Sequence, residues 1–367
     1  MNFLKHRTLA AALLAFSAVQ AHADYSVSIF GLNAQASGIN NSGQVVGSDN
    51  VPTTSPFLWN GPTATNLGTL GGTYGQANGI NDIGQVAGLS STPGNAAEHA
   101  TRWDGTTATD LGTLGGTRST AYGINNAGQV VGYSWTTGNR GIHATLWNGA
   151  TVTDLGTLGG RNSQAYGINN AGQVVGASDT NSNSAYHATL WEGTTVKDLD
   201  TLGGTLSRAY GINNAGQVVG DSQIMGSQAF HATLWDGTTM KDLGTLGGTD
   251  SSAMDINNAG QVVGWSYKMI NTGFARQYAT LWNGTTATDL NSFLSASEVA
   301  AGWALLNANG INDQGSIVGR AFNYQTNSTQ AFLLTVTAVP EPETYAMLLA
   351  GLGLIGGIAR SRKQKSV

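Results

Sequence analysis

Gly123-Ile124-Asn125-Asn126-Ala127-Gly128-Gln129-Val130-Val131-Gly132, followed by His143-Ala144-Thr145-Leu146-Trp147, is one copy of a pattern that runs the length of the chain and sets its fold. The Ile of Gly-Ile-Asn, or of a close variant, falls at Ile39, Ile80, Ile124, Ile168, Ile212, Ile256 and Ile311, at spacings of 41, 44, 44, 44, 44 and 55. The Trp of Leu-Trp or its variant falls at Trp59, Trp103, Trp147, Trp191, Trp235 and Trp282, with Leu334 in the seventh place. Two columns in one register mean seven copies of one unit, and such a period outranks any local signal in deciding architecture.

Within a unit, residues 120–124, 129–133, 142–147 and 150–155 are short, rich in β-branched and aromatic side chains, and without helical spacing, so each reads as a strand. Between them lie Asn125-Asn126-Ala127-Gly128, a polar loop, Asn148-Gly149 and a Gly-Thr-Leu-Gly-Gly connection. Asn and Gly tolerate positive φ where a hairpin reverses. The unit is therefore an antiparallel meander, and four strands repeated at about 44 residues match the blade of a β-propeller. The predicted fold is all-β, a seven-bladed propeller. Residues 25–30 occupy the place of a fourth strand and residues 331–336 that of a third, so the N-terminal strand would complete a blade begun at the C-terminus and leave no free edge. The competing arrangement is an open solenoid, whose two end faces would need polar caps that the sequence does not supply.

The periodic side chains invite chemistry and mostly have plainer uses. A Trp repeated once per blade can stack on a sugar, but beside Leu it suits packing between sheets. Trp135 and Trp265 stand outside that column, after Val-Val-Gly in the region of the second hairpin loop, and are the candidate ligand contacts. His99, His143, His187 and His231 recur, yet Ser55, Tyr278 and Gln330 replace them elsewhere and no local carboxylate is specified to orient a metal-bound imidazole, so the expectation is structural histidines and no metal or other cofactor. Asp110, Asp154, Asp198, Asp242 and Asp289 precede Leu in the fourth strand, with Asn66 in the first unit, and read as turn residues. Glycoside hydrolysis needs a carboxylate pair that one unit has and its siblings lack. Asp179, Asp200, Asp221, Asp250 and Asp255 are scattered singletons, and no catalytic residue is assigned. The Gly-rich connection lacks the Lys-Ser/Thr of a phosphate loop, and Asn-Asn-Ala-Gly is too short for a calcium loop. Residues 291–309 interrupt the period. There Ser295-x-x-Glu298 predicts a capped helical turn, with Phe293, Leu294 and Trp303 packing it on the last blade.

The two ends carry addresses. Lys5, His6 and Arg7 precede an apolar stretch at 9–19, and Ala21-His22-Ala23 is a small-x-small cleavage site, so residues 1–23 read as a signal peptide, too short in its apolar part to span a bilayer. The repeat domain is expected at 24–338, the tail at 339–367. The tail runs from Val339-Pro340-Glu341-Pro342 through an apolar run at 345–359 to Arg360, Arg362, Lys363 and Lys365, the order of a segment inserted transiently in the inner membrane and stopped by cations. There is no cysteine anywhere, which excludes disulfides, thiolate metal sites and a thiol nucleophile. The body carries 19 acidic and 10 basic side chains, a net charge of −9, and is a poor partner for nucleic acid.

Two family resemblances rest on these residues. The Val-Pro-Glu-Pro hinge, apolar run and basic end closely resemble the PEP-CTERM sorting signal of Gram-negative bacteria. That resemblance implies recognition by an exosortase, a membrane transpeptidase acting near Pro340 to Pro342 after signal peptidase has acted at the other end, in organisms that make exopolysaccharide, with release or transfer of the protein to the cell surface. The repeats themselves, Gly-Ile-Asn-Asn-Ala-Gly-Gln-Val-Val-Gly with His-Ala-Thr-Leu-Trp, resemble the extracellular repeats of the HAF family, although Thr145, Thr189 and Thr233 stand where that family's name expects Phe. No catalytic residues come with it. The expected protein is a non-enzymatic surface or matrix component of biofilm exopolysaccharide. A glycan-binding propeller is the alternative and a polysaccharide-degrading enzyme the third reading.

Overall fold

In the computed structural model the chain is described over residues 24–50, 54–181, 185–271 and 273–337. The expected signal residues Ala21 and Ala23 and the sorting residues Val339, Pro340, Glu341, Pro342, Arg360, Arg362, Lys363 and Lys365 lie outside them.

Blade 3 shows how the repeat folds. Its strands, Gly115–Ile124, Val130–Thr136, Ile142–Asn148 and Thr151–Asp154, pair antiparallel in sequence order. The first reversal is fixed by Asn125, whose Oδ1 accepts from Ala127 N at 3.1 Å and Gln129 N at 3.0 Å, while Gly128 adopts φ 75° and donates to the Asn125 carbonyl at 3.0 Å. The same four-stranded meander recurs at 34–66, 75–110, 159–198, 203–244 and 251–289. The seventh sheet contains Trp303–Ile311, Ile317–Asn323 and Ser328–Thr337, and its fourth strand is Asp24–Leu32 from the other end of the chain. The ring is thus closed as expected, and Ser26 Oγ meets Thr335 Oγ1 across the joint at 2.6 Å.

Burial follows the repeat. Clusters form between neighbouring blades, as where Ala87 and Ala100 of blade 2 meet Ala121, Val130 and Trp147 of blade 3. Trp103, Trp147, Trp191 and Trp282 are fully buried, so the Trp column packs sheets together as anticipated. The Gly-Thr-Leu-Gly-Gly connection is more than a separator. In blades 3, 4 and 5 its last two glycines begin the first strand, after which the register shifts. A Cβ on Gly116 would lie 2.4 Å from the Trp135 carbonyl oxygen, so only glycine lets the strands approach there.

The interruption before blade 7 folds as predicted. Ser295 and Glu298 form a reciprocal capping box on the helix Ala296–Ala300, and Phe293, Leu294 and Trp303 pack against the core of blade 7. Among the described residues no helix is long and apolar enough to cross a membrane.

Candidate functional site

The first strand of every blade lines the central axis and delivers two successive side chains, Asn-Asn or Asn-Asp, to one face. The first Asn is buried, and its Nδ2 donates to the carbonyl of the same residue in the next blade, a belt of seven bonds of 3.0–3.2 Å that returns from Asn312 to Asn40. The second residue accepts at Oδ1 from the preceding blade's backbone N–H, and these seven bonds of 2.9–3.0 Å make a second closed belt. Two of its members are acids. Burial would raise the Asp313 carboxyl, but bonds from the Asn258 backbone and from the Asn258 and Asn41 side chains outweigh this and hold it below the ordinary range. The Oδ1 of every member of the second belt is thus engaged in holding neighbouring blades together.

On the other side of the Ile column the axis opens into a funnel of about 520 Å³. That is the size range of ligand sites. Its wall is uneven. Two residues before each Ile stand Ser37, Asn78, Tyr122, Tyr166, Tyr210, Met254 and Asn309, so one side is an arc of three tyrosines and the other is polar or aliphatic. The rings of Tyr122 and Tyr166 have centroids 5.4 Å apart and those of Tyr166 and Tyr210 5.3 Å apart. Burial pushes the hydroxyls of Tyr122 and Tyr210 up and that of Tyr166 up to about 12, so all three are neutral donors near pH 7.

Two further columns vary among otherwise matching units, and of their members only Gln35 lines the funnel. The position four before each Ile reads Gln35, Gln76, Thr120, Gln164, Arg208, Ser252 and Asn307, and its pairing partner on the second strand reads Ser48, Leu89, Tyr133, Ala177, Asp221, Trp265 and Arg320. The intervening Ala of the first strand and the Val-Gly core of the second barely change. Blade 5 places a charged pair here: Arg208 Nε donates to Asp221 Oδ1 at 3.1 Å, and Ser252 Oγ of blade 6 donates to Asp221 Oδ2 at 2.9 Å. Asp221 is 3% exposed, and burial raises its carboxyl further than Arg208 and Ser252 lower it. The Arg208 guanidinium lies 5.5 Å from the ring centres of Tyr186 and Phe230 and 5.8 Å from that of Tyr210. Asp255 occupies the place where the other blades have Gly, and accepts from Ile311 N and Ile256 N at 2.9 Å each. Burial raises its carboxyl to about 6 against those two bonds.

The sequence-derived ligand contacts fall elsewhere. Trp135 and Trp265 are in the strands Val130–Thr136 and Gln261–Asn271, not in loops, because the second strand of blade 3 runs three residues beyond its expected end at 133 and that of blade 6 runs on to Asn271. Both are half-buried, Trp265 with its edge on Tyr267 at 5.5 Å. The recurrent histidines do have a local carboxylate, contrary to expectation: His99, His143, His187 and His231 each meet, through Nδ1, the Asp of the adjoining fourth strand at 2.7–2.8 Å. That Asp also accepts from the backbone two residues on, as Asp154 Oδ1 does from Gly156 N at 2.8 Å, so it remains a turn residue too. Strand register joins the columns, eleven residues apart in sequence. Among the described residues no group of three or more His, Asp or Glu side chains is arranged to hold a metal ion.

Fold and axis together define a seven-bladed β-propeller closed by its N-terminal strand, with the amide belts around one end of the axis and the funnel at the other. Residues 338–363 match the PEP-CTERM protein-sorting motif, so the chain carries the signal of an exported protein processed by an exosortase at the Gram-negative cell surface. Residues 186–339, from the third strand of blade 4 onward, match a family described as a protein of unknown function, DUF3466. No curated protein matches the chain. Similar solved structures include the β-propeller domain of the Trilobed protease from Pyrococcus furiosus, described as having an open velcro topology, at 10% identity and TM-score 0.51 over 85% of this chain and 98% of that one. A putative TolB from Agrobacterium tumefaciens is similar at 12% identity and TM-score 0.45 over 60% of this chain and 88% of that one.

Proposed function

We propose that this chain is a non-enzymatic binding propeller of the bacterial surface, whose funnel engages the exopolysaccharide of the producing cell. The observation that carries this reading is the blade-to-blade variation of the column that lines the funnel, Ser37, Asn78, Tyr122, Tyr166, Tyr210, Met254 and Asn309. Packing needs every blade alike, and a single asymmetric partner needs them to differ at the place it touches. The partner's chemistry is suggested by an arc of tyrosines with neutral hydroxyls beside amide side chains, a wall suited to a polyhydroxylated chain. Trp135 and Trp265 supply further aromatic surface outside the funnel.

In this reading residues 1–23 are removed after Ala23, residues 24–338 are the working part, and residues 339–367 serve sorting alone, with cleavage near Pro340 to Pro342 and Arg360, Arg362, Lys363 and Lys365 holding the tail until then. Tyr25 and Val336 both lie beside Gly315 in the 312–315 turn, so the described residues begin and end on the face of the Asn belts. The funnel opens on the opposite face.

Co-sedimentation of the full chain, in detergent, with exopolysaccharide purified from the producing organism tests the proposal. Binding that weakens in Tyr166→Ala is expected. Equal recovery of protein with and without the polymer would refute it.

A further inference from the structure

We infer that a side pocket between blades 4 and 5 is built to take one neutral pyranose residue at the end of a glycan, a specificity that rests on the binding role proposed for the funnel. The pocket, of about 210 Å³, is lined by Gln164, Tyr166, Ala177, Asp179, Tyr186 and Arg208 among others. It is small against the roughly 300–1,000 Å³ of sites for drug-sized ligands, so it has room for one ring.

Its origin is a single small residue. Ala177 stands in the column that carries Ser48, Leu89, Tyr133, Asp221, Trp265 and Arg320 in other blades. In blade 3 the corresponding Tyr133 packs at 6.0 Å on Tyr122. In blade 4 that volume is missing beside Tyr166, and the gap is the pocket. Around the gap the polar groups converge in the pattern that hydroxyls need, since each hydroxyl both donates and accepts. Arg208 offers a guanidinium whose Nε is fixed on Asp221, so the fork is held in place. The Asp179 carboxylate is steadied by the Asn162 backbone N–H at 3.2 Å and the Asn162 side-chain amide at 2.8 Å. Gln164 accepts from the Tyr166 hydroxyl at 2.7 Å. The half-buried rings of Tyr166 and Tyr186 provide apolar faces for the C–H side of a sugar.

Charge selects the neutral class. Asp221 already balances Arg208, and Asp179 adds a negative charge to the wall, so an acidic sugar would bring its carboxylate toward a carboxylate. Tyr166 lines both this pocket and the funnel, which gives the rest of the glycan a continuous path onto the axis.

Saturation-transfer NMR on the full chain in detergent, with methyl β-D-glucopyranoside, methyl α-D-mannopyranoside, methyl β-D-galactopyranoside and methyl β-D-glucuronide as separate probes, tests the assignment. At least one neutral glycoside should receive saturation, and the glucuronide less. Ala177→Tyr, which restores the side chain that blade 3 carries, should weaken that binding roughly tenfold or more by filling the gap. Arg208→Lys, which keeps the charge and loses the planar fork, should weaken it similarly and serves as the deciding variant if Ala177→Tyr does not fold. Transfer to the glucuronide alone, transfer to none of the probes, or undiminished neutral binding in a folded Ala177→Tyr or Arg208→Lys protein would overturn the inference. Should the polymer still co-sediment in any of those cases, the funnel's role stands and only this pocket is misassigned.

Discussion

Asn125 joins a turn to the neighbouring blade, since its amide turns the hairpin through Ala127 and Gln129 and reaches the Asn169 carbonyl of the next blade at 3.1 Å. It is 3% exposed, so water cannot replace what is lost. Asn125→Ala should cost about 3 kcal/mol in denaturant unfolding, whereas Asn126→Ala, an exposed link to the Asp82 N–H, should cost less than about 1 kcal/mol. Equal losses would mean that the inner belt is not a structural unit. Asp255 makes a prediction about pH. Its folded carboxyl titrates near 6 and its unfolded one near the ordinary carboxylate value, so between pH 4 and 6 the native state keeps a proton that the unfolded state releases. Stability contributed at low pH is therefore lost as pH rises through that window and does not return above it. Because the group still borders the funnel's solvent, the change should be about 2 kcal/mol. The unfolding free energy of the native chain minus that of Asp255→Ala should fall by this amount from pH 4 to pH 7, and a pH-independent difference would contradict the burial argument.

At the scale of the strand, burial and hydrogen bonding separate within one column. Trp103 Nε1 donates to the Gly68 carbonyl at 3.2 Å, while the buried indole N–H groups of Trp147, Trp191, Trp235 and Trp282 have no protein partner. Trp103→Phe should accordingly cost about 1 kcal/mol more than Trp147→Phe in denaturant titrations followed by circular dichroism, since only the former loses a bond. The meander was legible in the sequence because Asn-Asn-Ala-Gly and Asn-Gly force reversals and the segments between them are too short for helices. The count of blades followed from the spacing of Ile and Trp, and the N-terminal closure from residues 25–30 and 331–336 filling the places of a fourth and a third strand. The Arg208, Asp221 and Ser252 cluster was not legible, because these residues sit on three strands of two blades and meet only through pairing register and the packing of one blade on the next. The His–Asp pairs escaped for the same reason, and Trp135 was placed in a loop because Ser134 and Thr136 look like loop residues. They are strand positions whose polar groups bond locally, Ser134 Oγ accepting from Leu114 N at 2.8 Å.

Across the whole molecule the ring is closed twice. Asn312 and Asp313 of blade 7 reach Asn40 and Asn41 of blade 1 at 3.1 and 2.9 Å, and the strand Asp24–Leu32 completes the seventh sheet. These closures differ in kind. The amide links are two members of belts that would survive a gap elsewhere, whereas the strand brings Tyr25, Val27 and Ile29 against the blade 7 core and Phe30 against Trp59 of blade 1. Burying four such side chains, even partly, contributes on the order of 5 kcal/mol. Removing residues 24–32 also leaves Ser328–Thr337 as a bare edge of unpaired N–H and C=O groups, ten residues long, ready to pair with another copy. A chain lacking those residues should therefore lose more stability than Asn125→Ala does and should form dimers and larger species by light scattering after size-exclusion chromatography. A chain beginning at Asp24 is the control, since it keeps the whole strand. A shortened chain that stayed monomeric with native stability would show that the amide belts alone close the ring.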